Sequence, residues 1–174
     1  MRNKVEWRDA KVAELRQIAE DVRYIGFAVD GPVPRFDPGS HSNIRVEIDG
    51  EAANRTYTVI PAPPGQIAVA VKLHPKSRGG SRYMWSLEEG QDVRLTLPEN
   101  RFELSWRAKH YLLLAGGIGI TPIYGMAKAL VARGASVRVV YAARSRALMA
   151  FADELEALLG DRLVLRDNAE GQHI

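Results

Sequence analysis

Between Lys11 and Leu97 apolar side chains recur at every second position: Ile44, Val46 and Ile48 in NIRVEID, Val69, Val71 and Leu73 in QIAVAVKL, and Val93, Leu95 and Leu97 in DVRLTLP. Alternation puts successive side chains on opposite faces of an extended chain, so each stretch reads as a half-buried strand. The turn-forming stretches DGPVPRFDPGS, PAPPGQ and HPKSRGGS separate them. Short strands at turn-bounded spacing predict an antiparallel sandwich or small barrel. After PENRFELSWRAKH the period changes. YLLLA is a continuous apolar run, residues 121–132 have helical spacing, SVRVVYAA is a strand, residues 147–159 a second helix and RLVLRD a third strand. In the second helix Phe151, Leu155, Leu158 and Leu159 take the core positions, with Asp153, Glu154 and Glu156 solvated. This βαβαβ order predicts an α/β unit with a parallel sheet whose first strand is fully buried. The expected division is a β-barrel over residues 1–107 and the α/β unit over 108–174. Three strands fit where a doubly wound nucleotide-binding sheet has about five or six, so the unit reads as incomplete, with an uncovered sheet edge.

Composition narrows the classes. A hydrophobic content of 46% is enough for a folded core. The longest apolar run, Tyr111 to Ala115, is far below the roughly 20 residues of a spanning helix, and MRNKVEWRDAK lacks the apolar centre of a signal peptide. No membrane partner and a cytoplasmic location are therefore expected. The net charge of +3 is small and dispersed, which argues against nucleic acid. The chain has no cysteine, which rules out thiolate metal sites and cysteine-ligated iron-sulfur clusters within it. His41 and His74 stand beside turns without metal-ligand spacing, so no metal site is expected and both read as surface or hydrogen-bonded residues. Ser40 and His41 lack the elbow motif and acid partner of a hydrolase, and Trp7, Trp85 and Trp106 read as packing.

The chemistry concentrates in three stretches. In LLLAGGIGITPIYGMAKAL no Lys-Ser/Thr pair follows the last glycine of GGIGITP, so it is not a nucleotide-hydrolysing P-loop. Gly117 and Gly119 match the first two glycines of a dinucleotide fingerprint, with Pro122 in the third place. Thr121 is expected to cap the helix with Pro122 at its first position. Two readings stay open: glycines that let a ligand approach, and glycines that close-pack a plain turn. In RTYTV, Arg55 and Tyr57 share one strand face, a cation beside an aromatic plate; a surface cation-π pair would use the same residues. In SRGGSRYMWSL two glycines and Ser81 precede a short helix, where Gly80, Ser81 and Arg82 can present backbone N–H groups to an anion. An ordinary capped turn is the alternative.

In this order the motifs RFDPGSHSNIRVEI, RTYTV, VKLHPKSRGGSRYMW, LPENRFEL and GGIGITP resemble the ferredoxin-reductase-type flavoprotein superfamily, most closely its phthalate dioxygenase reductase branch, over nearly the whole chain. The resemblance implies a flavin-binding barrel followed by a nicotinamide dinucleotide-binding α/β domain. It implies that Arg55 binds the flavin phosphate, Tyr57 packs on the ring, and Thr58, with Thr56 in the same motif, contacts the flavin, Thr58 near the reactive nitrogen. Val71, Lys72 and Leu73 would line the ring and ribityl chain, and Gly79, Gly80 and Ser81 would form the phosphate loop. Thr121 would face the flavin edge, making Thr58 and Thr121 the catalytic pair. Gly117 and Gly119 would admit the dinucleotide, and Arg144 and Ser145, with Arg146, would meet its adenosine part. The implied cofactors are FMN rather than FAD, and NADH with NADPH open. The implied activity is an electron-transfer reductase serving an iron-sulfur or oxygenase partner, or another subunit. A non-catalytic flavin-binding subunit or a fragment is the alternative, because the branch's later Cys-Gly-Pro segment and ferredoxin domain are not in this sequence.

Overall fold

Strands of the first half close on themselves. In the computed structural model, which describes residues 6–167, β1 (Trp7–Ala19) turns into β2 (Val22–Val29), and β2 pairs with β5 (Gln66–Lys72). The ladder continues through β4 (Glu51–Ile60), β3 (Ser40–Ile48) and β6 (Asp92–Thr96) back to β1. All these pairings are antiparallel, which makes a closed barrel. The short β7 (Glu99–Asn100) extends β3. Ile25, Phe27, Ile44, Ile67, Val69 and Leu95 fill the barrel, and α1 (Gly80–Ser86) inserts Met84 among them. The outermost parts of the two expected units, residues 1–5 and 168–174, lie outside the described residues.

The expectation of half-buried strands fails at β5. Ile67, Val69 and Val71 enter the barrel core, while Ala68 and Ala70 are also buried, in a second core shared with the α/β unit. The strand is a wall between two cores, and small alanines on its outer face let the second unit approach closely. Leu73 and Leu97 fall just beyond their strands.

The α/β unit runs β8 (His110–Gly116), a 3-10 turn (Gly117–Gly119), α2 (Ile120–Ala132), β9 (Ser136–Ala143), a second 3-10 turn (Arg146–Leu148), α3 (Ala152–Leu159), a third 3-10 turn (Gly160–Arg162) and β10 (Leu163–Asp167). The sheet is parallel in the order β10-β9-β8. Contrary to expectation β8 is buried on one face only: Leu113 and Ala115 enter the core, whereas Leu112 and Leu114 are 62% and 60% exposed. YLLLA is a continuous apolar run, but no described element covers its second face.

Two helix starts also differ from expectation. Ile120 opens α2 with Gly119 as its cap residue, and Thr121 is buried, its hydroxyl donating to the Ile118 carbonyl at 3.1 Å. Pro122 stands at the third helical position rather than the first, and fits there because the first four N–H groups of a helix have no intrahelical acceptor. The helix expected from Ala147 begins at Ala152, since Phe151 has a left-handed backbone, φ 62°. Its ring stacks on Tyr124 of α2 at 4.3 Å between centroids, 6° from parallel. That aromatic contact, gained with the buried ring, offsets the unusual backbone.

Candidate functional site

The predicted residues gather in two neighbouring places. The first is on the barrel. Arg55 and Tyr57 of β4 are half-buried on one face, and Thr56 between them is exposed, its hydroxyl donating to Asn43 Oδ1 at 2.6 Å. Arg55 crosses over the start of α1. A Cβ added to Gly80 would lie 2.7 Å from Arg55 Nε, so the guanidinium stem occupies space only glycine leaves open. Gly79 has φ 94° and its missing side chain faces Ile48, whose nearest atom would be 2.5 Å from a Cβ. The first helical bond runs from Tyr83 N–H to the Gly79 carbonyl at 2.8 Å, so the N–H groups of Gly80, Ser81 and Arg82 precede the hydrogen-bonded ladder. Ser81 Oγ accepts from the His74 N–H at 3.3 Å. Burial pushes the Tyr57 phenol up to about 12, with the Arg55 cation pulling the other way. The set offers one cation, a group of backbone donors and a neutral flat ring to an anionic aromatic ligand.

The second place lies at the carboxyl ends of the parallel strands, where open α/β sheets bind ligands. A cavity of about 270 Å³ is lined by Lys72, Gly116, Gly117, Arg144 and Leu148, together with two alanines at the end of β9. Both units contribute, since Lys72 is the last residue of β5. Cβ atoms built on Gly116, Gly117 and Gly119 would meet nothing within 4 Å. The close-packing reading of these glycines therefore fails: only Gly117, at φ 51°, has a conformational need for glycine.

The structure brings Lys72, Gly117 and Arg144 together, but leaves other predicted residues apart from this cavity. Val71 is buried in the barrel, and its carbonyl accepts from Trp85 Nε1 at 2.9 Å. The Leu73 N–H donates to the Asp21 carbonyl at 2.8 Å. Ser145 stands just before the second 3-10 turn with extended backbone. Arg146 is not a free cation: its guanidinium pairs with Asp153 and, at 3.3 Å, with Glu156. Thr58 Oγ1 lies 3.3 Å from His41 Nε2. Trp106, expected to pack, is 36% exposed with Arg133 stacked over it at 4.1 Å.

Sequence reasoning missed Asp21. Its Oδ2 holds Lys72 Nζ at 3.0 Å, with both side chains mostly buried, and the neighbouring Glu20 N–H donates to the Ala147 carbonyl at 2.9 Å. The β1-β2 turn thus ties the barrel to the loop that carries Arg144. No local signal marks this pairing, because its partners are far apart in the chain and meet only through the pairing of β2 with β5, where Val22 stands opposite Lys72.

Comparison with known proteins agrees with this geometry. Residues 9–104 match the oxidoreductase FAD-binding domain family and residues 113–165 the oxidoreductase NAD-binding domain family. The chain is 36% identical over 159 residues to the heme-dependent oxidative N-demethylase beta subunit of Ectopseudomonas mendocina, covering 89% of this chain and 50% of that protein. Among solved structures, an intact type IV self-sufficient cytochrome P450 monooxygenase superposes with a TM-score of 0.90 at 33% identity, over 100% of this chain and 24% of that one. Phthalate dioxygenase reductase superposes with a TM-score of 0.82 at 32% identity, over 93% of this chain and 52% of that one. The chain thus spans about half the length of the demethylase subunit and of the reductase. Among the described residues no helix is long and apolar enough to cross a membrane. A closed antiparallel barrel, a parallel sheet with its open glycine turn, and matches along both halves establish that the chain belongs to the oxidoreductases built from an FAD-binding domain joined to an NAD-binding domain, with phthalate dioxygenase reductase among the proteins it is similar to.

Proposed function

We propose that this chain is the flavin and nicotinamide half of an electron-transfer reductase that takes hydride from NADH and delivers electrons to an iron-sulfur or oxygenase partner. The observation that carries the reading is the glycine turn: Gly116 and Gly117 line a cavity with Lys72 and Arg144, and the protein's own packing does not require Gly116 to be glycine. An anionic dinucleotide suits the Arg144 cation and bare backbone at strand ends, with Lys72 beside them balanced by Asp21. The barrel residues fit a flavin phosphate, because Arg55 already fills the space where a Gly80 Cβ would stand and α1 opens beside it. In this reading Arg55, Gly79, Gly80 and Ser81 hold the phosphate, Tyr57 packs on the ring, and Thr58 and Thr121 meet its reactive edge.

When bound, the flavin supplies the redox chemistry, accepting a hydride and releasing the two electrons singly. This chain's residues bind, orient and exclude water. Neutral Tyr57 gives an uncharged stacking surface, and the Asp21 carboxylate keeps the Lys72 ammonium at the cavity wall. FMN is the proposed flavin, because the cofactor would end at the Gly79–Ser81 loop. NADH is the proposed donor, because Arg146, a candidate for a 2'-phosphate, is already paired to two carboxylates. A cytoplasmic setting accords with that supply of NADH.

One anaerobic titration tests the reading. The purified chain is loaded with FMN, its visible spectrum recorded, and NADH added. Bleaching of the flavin band supports the reductase. A yellow protein that stays oxidised marks a flavin-binding subunit without turnover, and a chain that takes up neither FMN nor FAD refutes both. Mass spectrometry of the cofactor released from the chain as purified, before any loading, separates FMN from FAD.

A further inference from the structure

A second cavity lies at the other end of the parallel sheet. His110 opens β8 and Ser136 opens β9, and both line a cleft of about 480 Å³ with Trp106, Lys109, Arg133 and the buried Leu130. The glycine turn begins where β8 ends, a strand length of about 20 Å away. Backbone and side-chain bonds hold the walls of the cleft. The Tyr111 hydroxyl donates to the Ser105 carbonyl at 2.8 Å, just before Trp106, and the Ser136 N–H donates to the Lys109 carbonyl at 3.0 Å. Arg133 lies over the Trp106 ring at 4.1 Å. A guanidinium laid flat on an indole keeps its N–H donors in one plane, facing outward at its rim. The last turn of α2 does not take those donors: its Ala129, Val131 and Leu130 carbonyls accept from the backbone N–H groups of Arg133, Gly134 and Ala135. Among the described residues neither Arg133 nor Lys109 makes an ion pair, and no carboxylate lines the cleft.

We propose that this cleft is a binding site for a small phosphorylated molecule, whose phosphoryl group is held by Arg133 and Lys109 independently of the flavin and the dinucleotide. The Arg133 fork takes two oxygens side by side, and Lys109 adds a point charge. His110 and the Ser136 hydroxyl offer further donors from the strand starts. These groups stand on three segments of the chain: the stretch before β8, the end of α2 and the start of β9. A phosphate has acceptor oxygens pointing in several directions and can meet all three. A carboxylate has two oxygens in one plane and satisfies the fork alone. Offsetting the negative end of α2 calls for one nearby cation, and the cleft holds two, one of them clamped on an aromatic ring. Its volume falls among those of small-molecule sites, roughly 300–1,000 Å³, so an organic portion fits beside Leu130.

NMR of the full chain, with isotope-labelled tryptophan and inorganic phosphate as the probe, tests this. The three indole N–H signals belong to Trp7, Trp85 and Trp106, and Trp106→Phe identifies the one that matters. That signal is expected to shift saturably, with half-saturation on the order of 1 mM. Trp85, on α1, reports separately on any phosphate held at the barrel. Sodium chloride at matched ionic strength distinguishes binding from screening. Arg133 and Lys109 are exposed, so Arg133→Gln and Lys109→Gln leave the fold intact, and each is expected to weaken binding about 10-fold or more. Glycerol 3-phosphate is expected to bind at least as tightly as phosphate, and succinate about 10-fold more weakly. No saturable shift up to about 50 mM phosphate, an equal shift with chloride, or wild-type affinity in Arg133→Gln overturns the proposal. Succinate as tight as phosphate overturns the choice of phosphate, and much weaker glycerol 3-phosphate overturns the room for an organic portion. None of these readouts depends on flavin uptake or on reduction by NADH, so the site stands or falls apart from the reductase reading.

Discussion

Replacing Gly80 by alanine separates binding from folding. The new Cβ would stand 2.7 Å from Arg55 Nε, 2.9 Å from its Cγ and 3.0 Å from its Cδ. Those atoms belong to a flexible side chain, so the arginine gives way rather than the backbone. Overpacking costs about 1–3 kcal/mol in a rigid core, less where a long side chain swings aside, and alanine recovers up to about 1 kcal/mol over glycine within a helix. Net stability should change by no more than about 1 kcal/mol. The displaced guanidinium, however, loses a charge-assisted hydrogen bond to phosphate worth about 1.5–3 kcal/mol, a factor of roughly 10–150 in affinity. The assay is FMN titration of the apo chain by fluorescence quenching, with urea unfolding of the same preparations. Arg55→Ala should weaken binding about as much, and the double variant no further. Wild-type affinity in Gly80→Ala would refute the placement of Arg55 over the α1 start as a binding feature. A loss of more than about 3 kcal/mol in stability would show that the backbone, not the arginine, yields.

Other perturbations probe the scaffold. Gly39→Ala places a Cβ 2.1 Å from the Phe102 carbonyl oxygen at φ 94°, a backbone clash that should cost at least about 2 kcal/mol in urea unfolding. Leu113→Ala, in the core, should cost about 2–5 kcal/mol, whereas Leu112→Ala, on the exposed face of β8, should stay within about 0.5 kcal/mol; similar losses would mean that the face is covered in solution. The Tyr57 phenol rises from 10.0 to about 12 through burial, so between those values the folded chain keeps a proton that the unfolded chain has released. The stabilisation is complete below pH 10 and is lost as pH climbs toward 12. Urea midpoints across that range should fall less steeply in Tyr57→Phe, though Tyr24 and Tyr141, also raised by burial, preserve part of the slope.

The barrel and the βαβαβ order were legible because periods of 2 and 3.6 report which face of each element is buried. Arg55 and Tyr57 could be paired from spacing alone for the same reason, and the order of RTYTV, RGGS and GGIGITP carried the family. Local rules misplaced both helix starts: Gly119 and not Thr121 caps α2, and before α3 Phe151 takes a left-handed backbone to stack on Tyr124, a residue of another helix. They also overburied β8, since YLLLA reads alike whether one face is covered or two.

Chain order determined the fold class, since periodicity depends on neighbours a few positions apart, while most of the candidate residues came from the resemblance of ordered motifs to a family. Only the tertiary structure showed that the glycine turn is not close-packed, by leaving open space in front of Gly116 and Gly119. It alone paired Asp21 with Lys72 and His41 with Thr58, and it removed Arg146 from the free cations. Side-chain hydrogen bonds and ion pairs act over about 3 Å, and which groups come within that distance depends on how strands register and how turns fold back on neighbouring elements.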